Sequence, residues 1–204
     1  MKKIDDYLQR KIRIGVLLLT VLFAAARAMA DTGPVTSSLD GEGWFFATDA
    51  DNVGISQNWW MQAVSEATAV KVPHEDRYLG VAWYWRDFTP SLNPHNGGRY
   101  LLKFWGVQFR AQVWLNNTEL GSHDGGEEAF VFDVSDAILP GQINRLAVRV
   151  ILPGETRIES LVFSEIPARQ ASGGIWDSVD LMEVPALYLD DPDKVSSVRI
   201  RPPA

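Results

Sequence analysis

The stretch Val113-Trp-Leu-Asn-Asn-Thr-Glu-Leu-Gly-Ser-His-Asp-Gly-Gly-Glu-Glu-Ala-Phe-Val-Phe-Asp133 decides the fold class of this chain. Val113 and Leu115 alternate with Trp114 and Asn116, the two-residue period of a pleated strand. Asn116-Asn117 supplies residues that tolerate left-handed dihedrals, which predicts a tight hairpin turn. A second short strand then runs through Glu119 and Leu120 to Gly121. Ser122 to Glu128 is polar and glycine-rich and reads as an exposed loop. Phe130, Phe132 and Val134 open a further alternating run.

Working outward, the same signals recur. Leu39-Asp-Gly-Glu-Gly-Trp-Phe-Phe46 is a turn followed by a short apolar strand, and Ala69-Val-Lys-Val-Pro73 is a strand ended by proline. In Val81-Ala-Trp-Tyr-Trp-Arg-Asp-Phe88 the period puts Tyr84, Arg86 and Phe88 on one face and Trp83 and Trp85 on the other. Strands are also expected at 99–105, 110–116, 175–184 and 195–200. Arg145-Leu-Ala-Val-Arg-Val150 alternates most cleanly, with Leu146, Val148 and Val150 inward and Arg145, Ala147 and Arg149 outward. Residues 61–69 read weakly as a short helix. Short strands separated by turn signals, with almost no helix, predict an all-β antiparallel sandwich or jelly roll.

Bulk properties bound the rest. The 204 residues fit one domain or at most two. The absence of cysteine excludes disulfides, thiolate catalysis and cysteine-ligated metals. Residues 1–30 read as a signal peptide. A basic start (Lys2, Lys3, Arg10, Lys11, Arg13) precedes a 13-residue apolar run from Ile14 to Ala26, and Ala28-Met29-Ala30 is a small-x-small cleavage site. The expected product is periplasmic or secreted and begins at Asp31. An uncleaved membrane anchor is the alternative. The leader carries six basic and two acidic side chains, so its removal takes the formal net charge from −7 to −11. Such a surface repels phosphate backbones and excludes nucleic acid as a partner. Residues 31–38 are expected to be a polar tether.

At Gly80-Val-Ala-Trp-Tyr-Trp-Arg-Asp-Phe88 the chain resembles the N-terminal sugar-binding domain of family 2 glycoside hydrolases, the β-galactosidases, β-glucuronidases and β-mannosidases. The resemblance continues through Val113-Trp-Leu-Asn-Asn, Gly121-Ser-His-Asp-Gly-Gly-Glu-Glu-Ala-Phe130 and Phe132-Asp-Val-Ser135. Asn144-Arg-Leu-Ala-Val-Arg-Val150 and Ser172-Gly-Gly-Ile-Trp-Asp-Ser-Val179 complete it. It implies a galactose-binding-type jelly roll over residues 39–190, with 191–204 as the start of a linker. In that family an immunoglobulin-like domain and a TIM barrel with two catalytic glutamates follow. Both are missing from this chain, so hydrolysis by this chain alone is not expected. A free-standing lectin-like module and a purely structural interaction domain are the alternatives.

Candidate chemistry is then sorted by geometry. Glu127 and Glu128 are neighbours and point to opposite sides of an extended chain, whereas a retaining glycosidase needs carboxyl groups about 5–5.5 Å apart across one bond. Ser122-His123-Asp124 holds the residue types of a hydrolase triad, but a triad is a spatial array rather than a run. No catalytic residue is therefore expected. Asp76, Arg169 and Gln170 supply planar polar groups for sugar hydroxyls, in loops that the resemblance places near the terminal sugar. His123 joins them as a loop residue. Trp59 and Trp60 are adjacent, so at most one is expected to be buried and the other to face a neighbouring domain. Asp190-Asp191-Pro-Asp193 reads as an acidic turn, and His74, His95 and His123 lack metal-ligand spacing. No cofactor or metal is expected; the expected ligand is carbohydrate.

Overall fold

The computed structural model describes residues 33–152, 158–159 and 172–186, which form ten strands, one 3-10 turn and no α-helix. The strands are β1 (Val35–Ser38), β2 (Gly41–Thr48), β3 (Thr68–Val72), β4 (Gly80–Phe88), β5 (Arg99–Phe104), β6 (Arg110–Leu115), β7 (Thr118–Asp124), β8 (Phe130–Asp133), β9 (Asn144–Leu152) and β10 (Val179–Val184). They build two antiparallel sheets, β1-β10-β5-β8 and β3-β2-β4-β9-β6-β7. This is the expected jelly-roll sandwich.

Strand period explains the space between the sheets. Tyr84 of β4, Val113 and Leu115 of β6, and Leu146, Val148 and Val150 of β9 share an apolar core with Leu102 and Phe104 of β5 and Leu181 of β10. Trp44 lies in the same core, edge-on to Tyr84, with its indole N–H donating to the Leu39 carbonyl at 2.7 Å.

The six-stranded sheet is buried on its other face too. Trp83 and Trp85 stack 6.1 Å apart, and Trp83 stacks on Trp114 at 5.3 Å. Ala147 and Ile151 complete this second cluster, with Trp59, Trp60, Ala63, Val64 and Ala67 packed over it. Asp49 pins the covering loop. Its carboxylate accepts from Val53 N and Gly54 N at 2.8 Å each and from the Trp83 indole N–H at 3.1 Å.

Four sequence expectations change. Residues 62–67 are irregular beyond a 3-10 turn at Trp59–Met61, because packing on the tryptophans outweighs a weak helical pattern. Part of the presumed tether, Val35–Ser38, is an edge strand paired with β10. Ser122, His123 and Asp124 continue β7, opposite Gln112, Ala111 and Arg110, rather than forming a loop. Arg149 faces away from the inner core but is buried, because Asn52 and Glu159 cover it. The strand expected at 195–200 lies outside the described residues, as does the acidic turn at 190–193.

Candidate functional site

At one end of the sandwich, residues 73–79, 105–109, 125–129 and 172–178 are laced together mainly by backbone. Asp76 and Gly173 exchange two hydrogen bonds, at 3.0 and 2.9 Å, and Gln108 and Gly174 do the same at 2.9 and 3.0 Å. His74 N donates to the Ile175 carbonyl at 2.7 Å, and the Trp176 indole donates to the Gly126 carbonyl at 2.7 Å. Loops tied by backbone hold their shape whatever their exposed side chains are, so those side chains are free to serve a ligand.

Gly174 shows why the glycine pair is needed. Its φ is +141°, and a Cβ there would meet the His74 carbonyl and the Tyr84 hydroxyl at 2.4–2.5 Å. Beneath it, the Tyr84 hydroxyl lies 2.8 Å from His74 Nδ1. Burial pushes the Tyr84 and Tyr78 hydroxyls well above the ordinary phenol range, so both stay neutral. Burial also lowers the His74 pKa, against the opposing pull of Asp76 and Glu75. The floor of this end is therefore uncharged, and its exposed rim carries Glu75, Asp76, Arg77, Glu127 and Glu128.

Asp76 is at this rim, with Oδ1 accepting from Arg77 N at 2.7 Å. Arg169 and Gln170 lie outside the described residues, although Gln170 is only three positions before Gly173. His123 is half-buried, its ring stacked on Phe130 at 4.3 Å and 17°. Ser122 and Asp124, on either side of it, are exposed, and Arg110 engages Asp124 in a two-pronged ion pair. Those hydrogen bonds hold the Asp124 carboxyl below the usual carboxylate range. Asp124 is thus committed to Arg110 and does not orient a histidine. Glu127 and Glu128 are exposed neighbours. Among the described residues, no three His, Asp or Glu side chains gather to hold a metal ion.

Trp59 and Trp60 are both half-buried on the outer face of the six-stranded sheet. Trp60 stacks on Trp114 at 5.8 Å, and Trp59 leans on Trp83 and Trp85. Beside them is a cleft of about 280 Å³ between β2, β4 and residues 63–67, lined by Phe45, Trp85, Asp87 and Arg145 among others. Sequence reading missed it, because Phe45, Val64, Asp87 and Arg145 are far apart in the chain. The one available signal was the placing of Trp85 opposite the Tyr84 face.

No family model matches the chain. Its curated relatives include β-glucuronidases and β-galactosidases. A β-glucuronidase of Paenibacillus borealis is 28% identical over 117 residues, which cover 52% of this chain and 20% of that protein. A β-galactosidase of Arthrobacter sp. is 49% identical over 49 residues, covering 24% of this chain and 5% of that protein. Among solved structures, a β-glucuronidase from an uncultured Clostridium sp. superposes with a TM-score of 0.65 at 23% identity, over 80% of this chain and 31% of its own. The chain thus spans between 5% and 30% of the length of the curated relatives it matches. The resemblance to family 2 glycoside hydrolases stands, and it is a resemblance to one part of them.

Proposed function

We propose that this chain is the sugar-binding accessory domain of a longer, exported family 2 glycoside hydrolase. It shapes a substrate entrance, and catalysis resides elsewhere in that protein. The observation that carries this reading is the partial match: the likeness to β-glucuronidases and β-galactosidases is confined to a fraction of their length. The loop end fits the role. Its backbone lattice presents Asp76 on an uncharged floor and pairs it with Gly173; Arg169 and Gln170 precede Gly173 in sequence. On this reading Asp76, Arg169 and Gln170 contact the terminal sugar of a β-glucuronide or β-galactoside, and the exposed parts of Trp59 and Trp60 meet a neighbouring domain.

Three measurements test it. The chain incubated with p-nitrophenyl β-glucuronide and β-galactoside should release no nitrophenol. NMR titration with glucuronate and with methyl β-galactopyranoside should shift the amides of Asp76 and Gly173, and Asp76→Ala should abolish the response. Turnover by this chain, or silence at those amides with both sugars, would overturn the reading. Export is checked by fusing residues 1–30 to a reporter enzyme that is active only outside the cytoplasm.

A further inference from the structure

The cleft on the outer face of the six-stranded sheet is separate from the loop end, and its chemistry is specific. Phe45 and Trp85 are direct cross-strand partners there. Trp85 is fully buried and Phe45 is 43% exposed, so one aromatic ring of the wall is open to solvent. Val64 and its small neighbours Ala63 and Ala67 form the facing apolar side. At the end of the cleft, Asp87 and Arg145 are also cross-strand partners, joined by two parallel hydrogen bonds at 2.7 and 2.5 Å. A further Arg145 N–H donates to the Met61 carbonyl at 3.0 Å, which fixes the guanidinium plane. Both side chains of the pair remain partly exposed, at 46% and 34%. Gly43, at the margin with φ +92°, keeps the mouth free of a side chain.

We propose that this cleft is a second sugar-binding site that takes one neutral pyranose ring of a glycan; the choice of a carbohydrate ligand rests in part on the accessory-domain reading above. A pyranose has an apolar C–H face and a rim of paired hydroxyls. The first fits an open phenyl ring, and the second fits a planar group offering acceptors and donors side by side. Asp87 supplies the acceptors and Arg145 the donors. The two neutralise each other, and Arg86, the third charged residue of the lining, is engaged by the Glu42 carbonyl and the Trp44 ring, so the site favours an uncharged polyol over an anion. The volume, about 280 Å³, is just below the ~300 Å³ at which pockets for drug-sized ligands start, and suits a single ring. A shallower depression continues past the ion pair along Asn116, Asn117 and Ile143, giving a second sugar unit a path.

The test is titration of the ¹⁵N-labelled full chain with methyl β-glucopyranoside, methyl β-galactopyranoside and, as a charged control, sodium glucuronate. Expected are saturable shifts at Phe45, Val64 and Asp87 with at least one neutral glycoside, and weaker shifts there with glucuronate. Phe45→Ala removes a partly exposed side chain, so the circular dichroism should be unchanged while affinity at these amides falls about tenfold or more. Asp76→Ala should leave them alone. Shifts confined to the loop end, abolished by Asp76→Ala and untouched by Phe45→Ala, would overturn the cleft while sparing the proposed function. Saturation at the cleft with no loop-end response would support the cleft and count against the role given to Asp76. Concentration-dependent broadening at the cleft without sugar would make it a protein-docking surface and overturn the inference.

Discussion

Asp49 and Glu183 are both buried carboxylates, and their surroundings set them opposite tasks. Asp49 is 2% exposed and accepts three hydrogen bonds, two from backbone N–H groups and one from the Trp83 indole. Asp49→Ala would strand three donors beneath the covering loop, so unfolding titrations should show a loss of about 1.5–3 kcal/mol or more. Glu183, on β10 opposite Tyr100, is 1% exposed, and neither of its carboxylate oxygens has a hydrogen-bond partner among the described residues. Burial raises its pKa, with His95 pulling the other way and Tyr100 alongside. A carboxyl whose folded pKa is raised favours the fold below its unfolded pKa, and that contribution is lost as pH climbs through the folded value. Glu183→Gln should therefore gain stability over the parent as pH rises from about 4.5 to 8. Equal slopes for the two proteins in chemical denaturation across that range would refute it.

At the scale of elements, the β6–β7 hairpin shows what a local pattern reveals and what it conceals. Asn116-Asn117 announced a tight turn, and Asn116 adopts the left-handed φ of 55° that the turn demands. The pattern could not show that the same side chain ties the hairpin to distant chain. Asn116 Nδ2 donates to the Ala137 carbonyl and to Asn144 Oδ1, and its Oδ1 accepts from Arg145 N. Asn116→Gly keeps the dihedral but removes these bonds, so it should cost about 1–3 kcal/mol, read as a lower denaturation midpoint with the strand signal intact. The same limit explains β7 and β9. Ser122-His123-Asp124 reads as loop by composition because its partner strand, through Arg110 and Ala111, is what makes it a strand. Arg149 reads as solvent-facing because strand alternation does not show that Asn52, 97 residues away, and Glu159, ten residues on, cover it. Asp76 was legible as an exposed loop carboxylate, whereas its pairing with Gly173 was not.

At the scale of the whole molecule, the sandwich carries two apolar layers, and only the inner one follows from strand alternation. The outer layer exists because residues 49–67 fold back over Trp83, Trp85 and Trp114. That cover is thin. One tryptophan, Trp60, stacks on Trp114 while itself only half-buried, and the inner core does not depend on it. Local units of unequal stability open separately, the least-buried first. Fully burying a large apolar side chain is worth about 1.5–3 kcal/mol, so losing the half-buried Trp60 should cost roughly half of that. Trp60→Ala should thus red-shift tryptophan emission and speed proteolysis within residues 49–67, while far-ultraviolet circular dichroism and the loop-end sugar response persist. Global unfolding on this one substitution would mean that the outer layer is integral to the sandwich. Retention of the inner fold would make it a separable cover on the sandwich.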